Sequence, residues 1–267
     1  MSEGHIPGIL ETMTVDDVRA LAPEVVVIGV ASTEPHGPHL PYGTDVFQCD
    51  AVCRRAVQWA NDRGGRVLMY PTLPIGNNVN FKAFPFACRI GVRTLMQVLL
   101  DIIEALEADG VRKIVLVNGH GGNPEAMRAV LREQMHLRPP DEAPFVCLVQ
   151  GFMLPDQEAK LGIEHRSDHG GESETSQMLH LRPDLVRTDK LDAFPVAAPT
   201  LEHLATASAE FVRPWHVYLP ISAGGETRKS TAEKGQRLID SAAENLAALL
   251  VELSQTPWHE RFPYDRG

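Results

Sequence analysis

The sequence predicts an α/β fold with a mostly parallel central sheet, and three observations carry that expectation. Residues 24–31, 113–117 and 145–149 are dominated by apolar, largely β-branched side chains, the pattern of strands buried on both faces of a sheet. Amphipathic helical patterns alternate with them. Clusters of His, Gly, Pro and carboxylate residues follow two of these runs directly, at the strand ends where ligands of open α/β sheets collect.

Taken in order, residues 13–21 read as a short helix capped by Thr14, ahead of the first strand at 24–31. A helix is expected over 46–59, with Val46, Cys49, Val52, Cys53, Ala56 and Trp59 on one stripe. A strand at 66–70 ends at Pro71, and the loop 71–78 carries Asn77 and Asn78, which suit either a turn or hydrogen bonding to substrate. The helix 95–108, closed by Asp109-Gly110, leads to the strand 113–117; the helix 124–136 leads to the strand 145–149. Such alternation describes a doubly wound sheet whose right-handed crossovers bring the strand ends to one edge. Residues 154–168 read as a loop or short helix over the site, and 172–181 as a helix with an acidic first turn. The stretch 193–221 has no clear period; Trp215 and His216 within it are expected in core packing, with the pocket or a neighbouring subunit as the alternatives. A long helix closes the chain over 231–254.

Composition narrows the function. At 267 residues, 43% of them hydrophobic, the chain suffices for one large domain over 1–267. A formal charge of -10, from 35 acidic and 25 basic residues, argues against a nucleic-acid surface or an anionic-membrane anchor. Cys49, Cys53, Cys88 and Cys147 show no metal-binding or disulfide spacing, and neither a leader-like N-terminus nor a membrane-length apolar run is present, so a cytoplasmic protein is expected.

Chemistry concentrates in three segments. In 32–45, Glu34 and His36 lie two apart on an extended stretch and face one space, and the Gly/Pro-rich bend after them can return Asp45 to it. Asp45 is also a plausible helix N-cap. Residues 118–123 contribute His120, and 169–176 contribute His169 and Glu172. Imidazole and carboxylate donors suit zinc, manganese or iron, and the five donors Glu34, His36, Asp45, His120 and Glu172 exceed the needs of one open ion. Two divalent ions sharing Asp45 are the more economical arrangement, and they would supply hydroxide at neutral pH. His169, with Asp168 as orienting partner or alternative acid/base, is the candidate for moving the proton, or else a further ligand. Glu174 is expected to orient a ligand, His39, His165 and Asn123 to lie behind the donors, and Asn78, Gly121 and Asn123 to line the substrate space. No serine-hydrolase elbow, Walker loop or dinucleotide fingerprint is present.

The segments Glu34-Pro35-His36-Gly37-Pro38-His39-Leu40-Pro41 with Asp45, Asn118-Gly119-His120-Gly121-Gly122-Asn123, His169-Gly170-Gly171-Glu172-Ser173-Glu174-Thr175-Ser176 and Ser230-Thr231-Ala232-Glu233-Lys234-Gly235 together resemble the creatininase (creatinine amidohydrolase) family, from about residue 8 to residue 250. The resemblance implies a three-layer α/β/α sandwich, a dinuclear metal centre, hydrolysis of a small molecule, and a homo-oligomer, often a hexamer. By position, Glu34, Asp45 and His120 resemble the ligands of one ion and His36 with Asp45 those of the other. Creatininase itself has a metal-binding glutamate where this chain has Gly122, and Glu172 is expected to replace it from another segment, as in the deformylase-like branch. The Phe-Pro-Gly-Thr common in the family is Phe84-Pro85-Phe86-Ala87 here. The leading expectation is a hydrolase of a cyclic amide or lactam. Formamide deformylation and C–C opening of a cyclic diketone are the alternatives within the same chemistry, and a non-catalytic, metal-stabilised assembly subunit is the alternative outside it.

Overall fold

The computed structural model describes residues 6–139, 142–151, 155–165, 169–204 and 209–264. Its centre is a four-stranded parallel sheet of β1 (Val25–Val30), β2 (Val67–Leu73), β3 (Lys113–Asn118) and β4 (Phe145–Gln150), in the order β2-β1-β3-β4. Around it run α1 (Val15–Leu21), α2 (Thr44–Asp62), α3 (Val92–Ala108), α4 (Pro124–Leu137), the short α5 (Pro155–Lys160), α6 (Glu172–Leu181), the single turn α7 (Trp215–Tyr218) and α8 (Ala232–Gln255). A two-residue ladder joins β5 (Ala193–Phe194) to β6 (Gly225–Glu226).

Alternation along the strands builds two cores. Val25, Val27, Val115 and Val117 face one side, where Cys49, Val52, Cys53 and Ala56 of α2 pack with Ile239, Ala243, Leu246 and Leu250 of α8. Val26, Ile28, Ile114 and Leu116 face the other, against Leu95, Leu99 and Ile103 of α3 and Met127 and Val130 of α4. The result is the expected α/β/α sandwich. Its handedness also explains where the helices go: β1→β2 steps one way along the sheet, whereas β2→β3 and β3→β4 step the other way, so right-handed crossovers place α2 opposite α3 and α4. The strand order therefore reverses between β1 and β3, and the crevice at their carboxyl ends is the switch point of the fold.

Three expectations shift in detail. The strand at 145–149 was expected to be buried on both faces, yet β4 is only half-buried, because it is an edge strand paired with β3 alone. β2 runs through Pro71 instead of stopping before it; an edge strand tolerates a residue without an N–H. α2 starts at Thr44, so Asp45 lies in its first turn. Thr14 caps α1 as expected, its hydroxyl accepting from the Asp17 amide while the Asp17 carboxylate accepts from the Thr14 amide.

Candidate metal centre

β1 is fully buried and in register with β3, Val30 opposite Asn118, so the segments leaving the two strands start side by side. The helix α2 reaches the same edge by a close approach. A Cβ on Gly119 would lie 2.5 Å from the Cβ of Cys49, so only glycine after β3 lets α2 press against the strand end and present Asp45 there. Glu34, His36, Asp45, His120 and His169 are all buried, with Glu34 at 1% and Asp45 at 4% exposure.

Asp45 stands between two imidazoles. Its Oδ1 lies 3.0 Å from His36 Nε2 and its Oδ2 lies 3.1 Å from His120 Nδ1. His120 Nδ1 is also 3.1 Å from Glu34 Oε1, and His36 Nε2 is 3.5 Å from Glu174 Oε2. Two sets of donors follow, Glu34-Asp45-His120 and His36-Asp45-Glu174, joined by Asp45; a third grouping brings His169 Nδ1 to 3.8 Å from Glu34 Oε1.

Three features of this geometry fit cations. First, His36 Nε2, Asp45 Oδ2 and Glu34 Oε2 are buried without a hydrogen-bond partner although oppositely charged atoms lie close by; two ligands on one tetrahedral ion at ~2.1 Å would sit about 3.4 Å apart, near the separations seen. Second, each histidine faces a backbone carbonyl with its other nitrogen: His36 Nδ1 with Glu34 O at 3.1 Å, His120 Nε2 with Asn77 O at 3.0 Å, His169 Nε2 with Pro35 O at 2.9 Å. A carbonyl only accepts, so in the neutral ring the nitrogen turned to the centre carries a lone pair. Third, three carboxylates converge in one largely dry space, a charge that needs compensation.

Without cations, protons provide that compensation. Burial alone would push His36 down, but Asp45, Glu174 and Glu34 raise it to about 10. His120 is raised too, burial being outweighed by Glu34 and Asp45. Burial would raise Asp45, yet His36 and His120 hold it well below the usual carboxylate range. His169 differs: burial and the neighbouring His36 push it down, which keeps it neutral.

Glu172, expected as the fifth donor, is not brought to the centre. Its buried carboxylate accepts from Lys234 Nζ at 2.6 Å and from the amides of Glu164 and His165 at 3.0 and 2.8 Å. Glu174 takes the expected place instead, its Oε2 held by the Gly170 amide at 2.6 Å and its side chain 27% exposed on the open side. Residues 172 and 174 lie on opposite sides of a helical turn, so only one can face inward. The signal that chooses between them was Lys234, four residues into the Ser230-Thr231 motif. Gly122 cannot carry a side chain: a Cβ there would sit 1.9 Å from Asn77 O and 2.6 Å from His120 Nε2.

Among the remaining candidates, Asn123 is spent on the fold, its Nδ2 donating to Val30 O and Ala31 O and its Oδ1 accepting from the Asn77 amide. It therefore has no amide group left for substrate. Asn78 donates to Ser32 Oγ and Thr33 O, leaving only Oδ1 unpartnered, while Gly121 borders open space. His39 Nε2 donates to Thr175 Oγ1 at 2.9 Å behind the donors; His165 is exposed and meets Glu172 through its amide. Asp168 lies outside the described residues. Two aromatic residues wall the site. Phe81 and Trp215 pack on His169 with ring centroids 5.3 and 5.0 Å away, so Trp215 belongs to the site's wall instead of the core. Phe81 comes from a stretch without periodicity and left no signal to find it, whereas for Trp215 the pocket was an alternative to core packing.

A doubly wound α/β sandwich with joined carboxylate and imidazole donors at its switch point is the framework of a metal-dependent hydrolase. The chain belongs to the creatininase family: the family pattern described as creatinine amidohydrolase matches residues 11–250. It is 29% identical to a mycofactocin precursor peptide peptidase of Mycobacterium ulcerans, over 94% of this chain and 93% of that protein. It is 28% identical to the creatinine amidohydrolase of Pseudomonas putida, over 85% and 89%. Among solved structures, a Bacteroides fragilis protein provisionally named a creatinine amidohydrolase superposes with a TM-score of 0.82 at 29% identity, covering 95% of this chain and 98% of that one. A manganese form of creatininase superposes at 0.75 and 25% identity, covering 94% and 100%; a zinc form of a creatininase mutant is equally similar. The chain is thus a creatininase-family hydrolase, and no helix among the described residues is long and apolar enough to cross a membrane.

Proposed function

We propose that this chain, acting as one catalytic domain, hydrolyses the C–N bond of a small amide using two divalent ions, zinc, manganese or iron. Glu34, Asp45 and His120 would hold one, and His36, Asp45 and Glu174 the other. The observation that carries the reading is Asp45, whose two oxygens each face a different histidine across a buried space. When bound, divalent ions polarise a carbonyl oxygen and acidify a water.

The protein's own side chains supply the rest. His169 presents a neutral Nδ1 to the centre because Nε2–H donates to Pro35 O, so it can take a proton from the attacking water and return it to the leaving nitrogen. Phe81 and Trp215 fix its ring plane and exclude water behind it. Peptidases among the relatives support a linear amide alongside the cyclic amide or lactam. C–C opening of a cyclic diketone is the second reading, supported by 26% identity to the 3-dehydro-scyllo-inosose hydrolase of Thermotoga maritima. Self-association into a homo-oligomer is supported by apolar side chains left in water, Phe86 at 91% exposure among them.

The test is metal analysis joined to product analysis. Reconstituted protein should hold close to two ions per chain and release amine and carboxylate in equal amounts from a panel of lactams, formamides and short peptides. Full turnover after exhaustive chelation would refute the reading.

A further inference from the structure

Beside the centre lies a recess of about 710 Å³ that the donor set does not use, framed by residues 197–204 and 211–218. Its walls include Leu201, Phe211, Trp215, Val217 and Tyr218. Leu201, Phe211 and Val217 are 68%, 56% and 50% exposed, so the recess holds apolar surface in water that an occupant would cover. Trp215 is the link. The side chain that lines the recess also meets His169 edge-on at 5.0 Å and Phe81 at 4.8 Å, and His169 is 3.8 Å from Glu34. A group seated in the recess is therefore one aromatic ring away from the proposed proton carrier. The volume falls within the range of about 300–1,000 Å³ that holds drug-sized ligands, far more than a bare five-membered ring needs.

We propose that this recess is the substrate's side-chain subsite, and that the amide hydrolysed carries an aromatic or branched apolar group, as a peptide does, instead of being a small unsubstituted ring. The proposal rests on the amide-hydrolase reading above and adds specificity to it. Trp215 then has two tasks, packing His169 on one side and closing the subsite on the other.

The probes are N-acetylphenylalaninamide and N-acetylglycinamide, which share the scissile bond and differ by one benzyl group. Metal-loaded wild-type protein should favour the first in kcat/KM by about tenfold to a hundredfold, the worth of burying an aromatic side chain. Val217→Arg, at an exposed position on the wall of the recess, should bring that ratio to about one by lowering kcat/KM for the phenylalaninamide. A wild-type ratio near one would overturn the proposal. So would a ratio that survives V217R, including the case where V217R changes the molecular mass in solution, which would show that the recess covers a second copy of the chain. A reading independent of turnover uses the product N-acetylphenylalanine and its quenching of tryptophan fluorescence. Saturable quenching lost in V217R supports the subsite even if neither amide is cleaved, in which case the amide chemistry alone fails. Absence of quenching in the wild type removes the subsite.

Discussion

Lys234 is the residue on which the position of Glu174 depends, and its replacement by methionine is the most informative perturbation. In the native protein Lys234 Nζ donates to Glu172 Oε1 at 2.6 Å, Glu164 Oε1 at 3.0 Å and Lys229 O at 3.0 Å. Glu172 Oε2 takes the amides of Glu164 and His165, and Ser230 Oγ donates to Glu172 O at 3.2 Å. The starts of α6 and α8 and the loop 163–165 are thus tied at one carboxylate. Removing one member of a buried pair costs about 3–5 kcal/mol; because two amides still solvate Glu172, the lower end applies, about 3 kcal/mol, or a fall in Tm of roughly 6–12 °C. Glu172→Gln should cost less, about 1 kcal/mol, since an amide oxygen still accepts from the loop and Lys234 keeps Glu164. Denaturation of chelated protein gives the stabilities free of metal linkage, and metal analysis after reconstitution gives the consequence for the site. K234M should load the His36 side weakly because the first turn of α6 loosens, whereas E172Q should retain both ions. A K234M protein within about 0.5 kcal/mol of wild type, or an E172Q protein of normal stability lacking an ion, would refute the argument, the latter by making Glu172 a donor.

Stoichiometry should follow the two donor sets: Glu174→Gln is expected to lower the content towards one ion per chain, and Asp45→Asn to empty both positions, by elemental analysis. His169→Ala should keep its ions and lose about 10²- to 10⁴-fold in kcat; loss of metal instead would make it a ligand. Uptake should release protons. With His36 raised to about 10, an ion must displace the proton there at neutral pH, so affinity should rise with pH between about 6 and 8, with about one proton released at this position in calorimetry across buffers of different ionisation enthalpy. Uptake independent of pH over that window would contradict the arrangement.

Much of the fold was legible because a strand buried on both faces must be apolar at every position, which makes β1 and β3 conspicuous. Edges carry weaker constraints. Neither the passage of β2 through Pro71 nor the half-burial of β4 leaves a mark in a window of sequence, since each follows from having one neighbour instead of two. The meeting of Glu34, His36, Asp45 and His120 was legible because each follows, directly or by one bend, a strand whose partner delivers the next. Phe81 was not, and Trp215 was legible only as an alternative to core packing, because their roles come from tertiary placement of loops.

The relocated carboxylate shows where reasoning from motifs stops. A side chain at Gly122, in the loop after β3, would collide with Asn77 O, the carbonyl that orients His120. Filling that position would cost the very hydrogen bond that aims His120, so a carboxylate beside His36 can come only from another wall of the crevice. α6 is the only helix among the described residues that starts at the open side of the site with two glutamates in its first turn, and geometry lets only one of them point inward. Lys234 engages Glu172, and Glu174 is left for His36. The orientation of the two glutamates is thus tied to a cation about sixty residues further along the chain, which is why local spacing pointed to Glu172 where the structure brings Glu174 to 3.5 Å from His36.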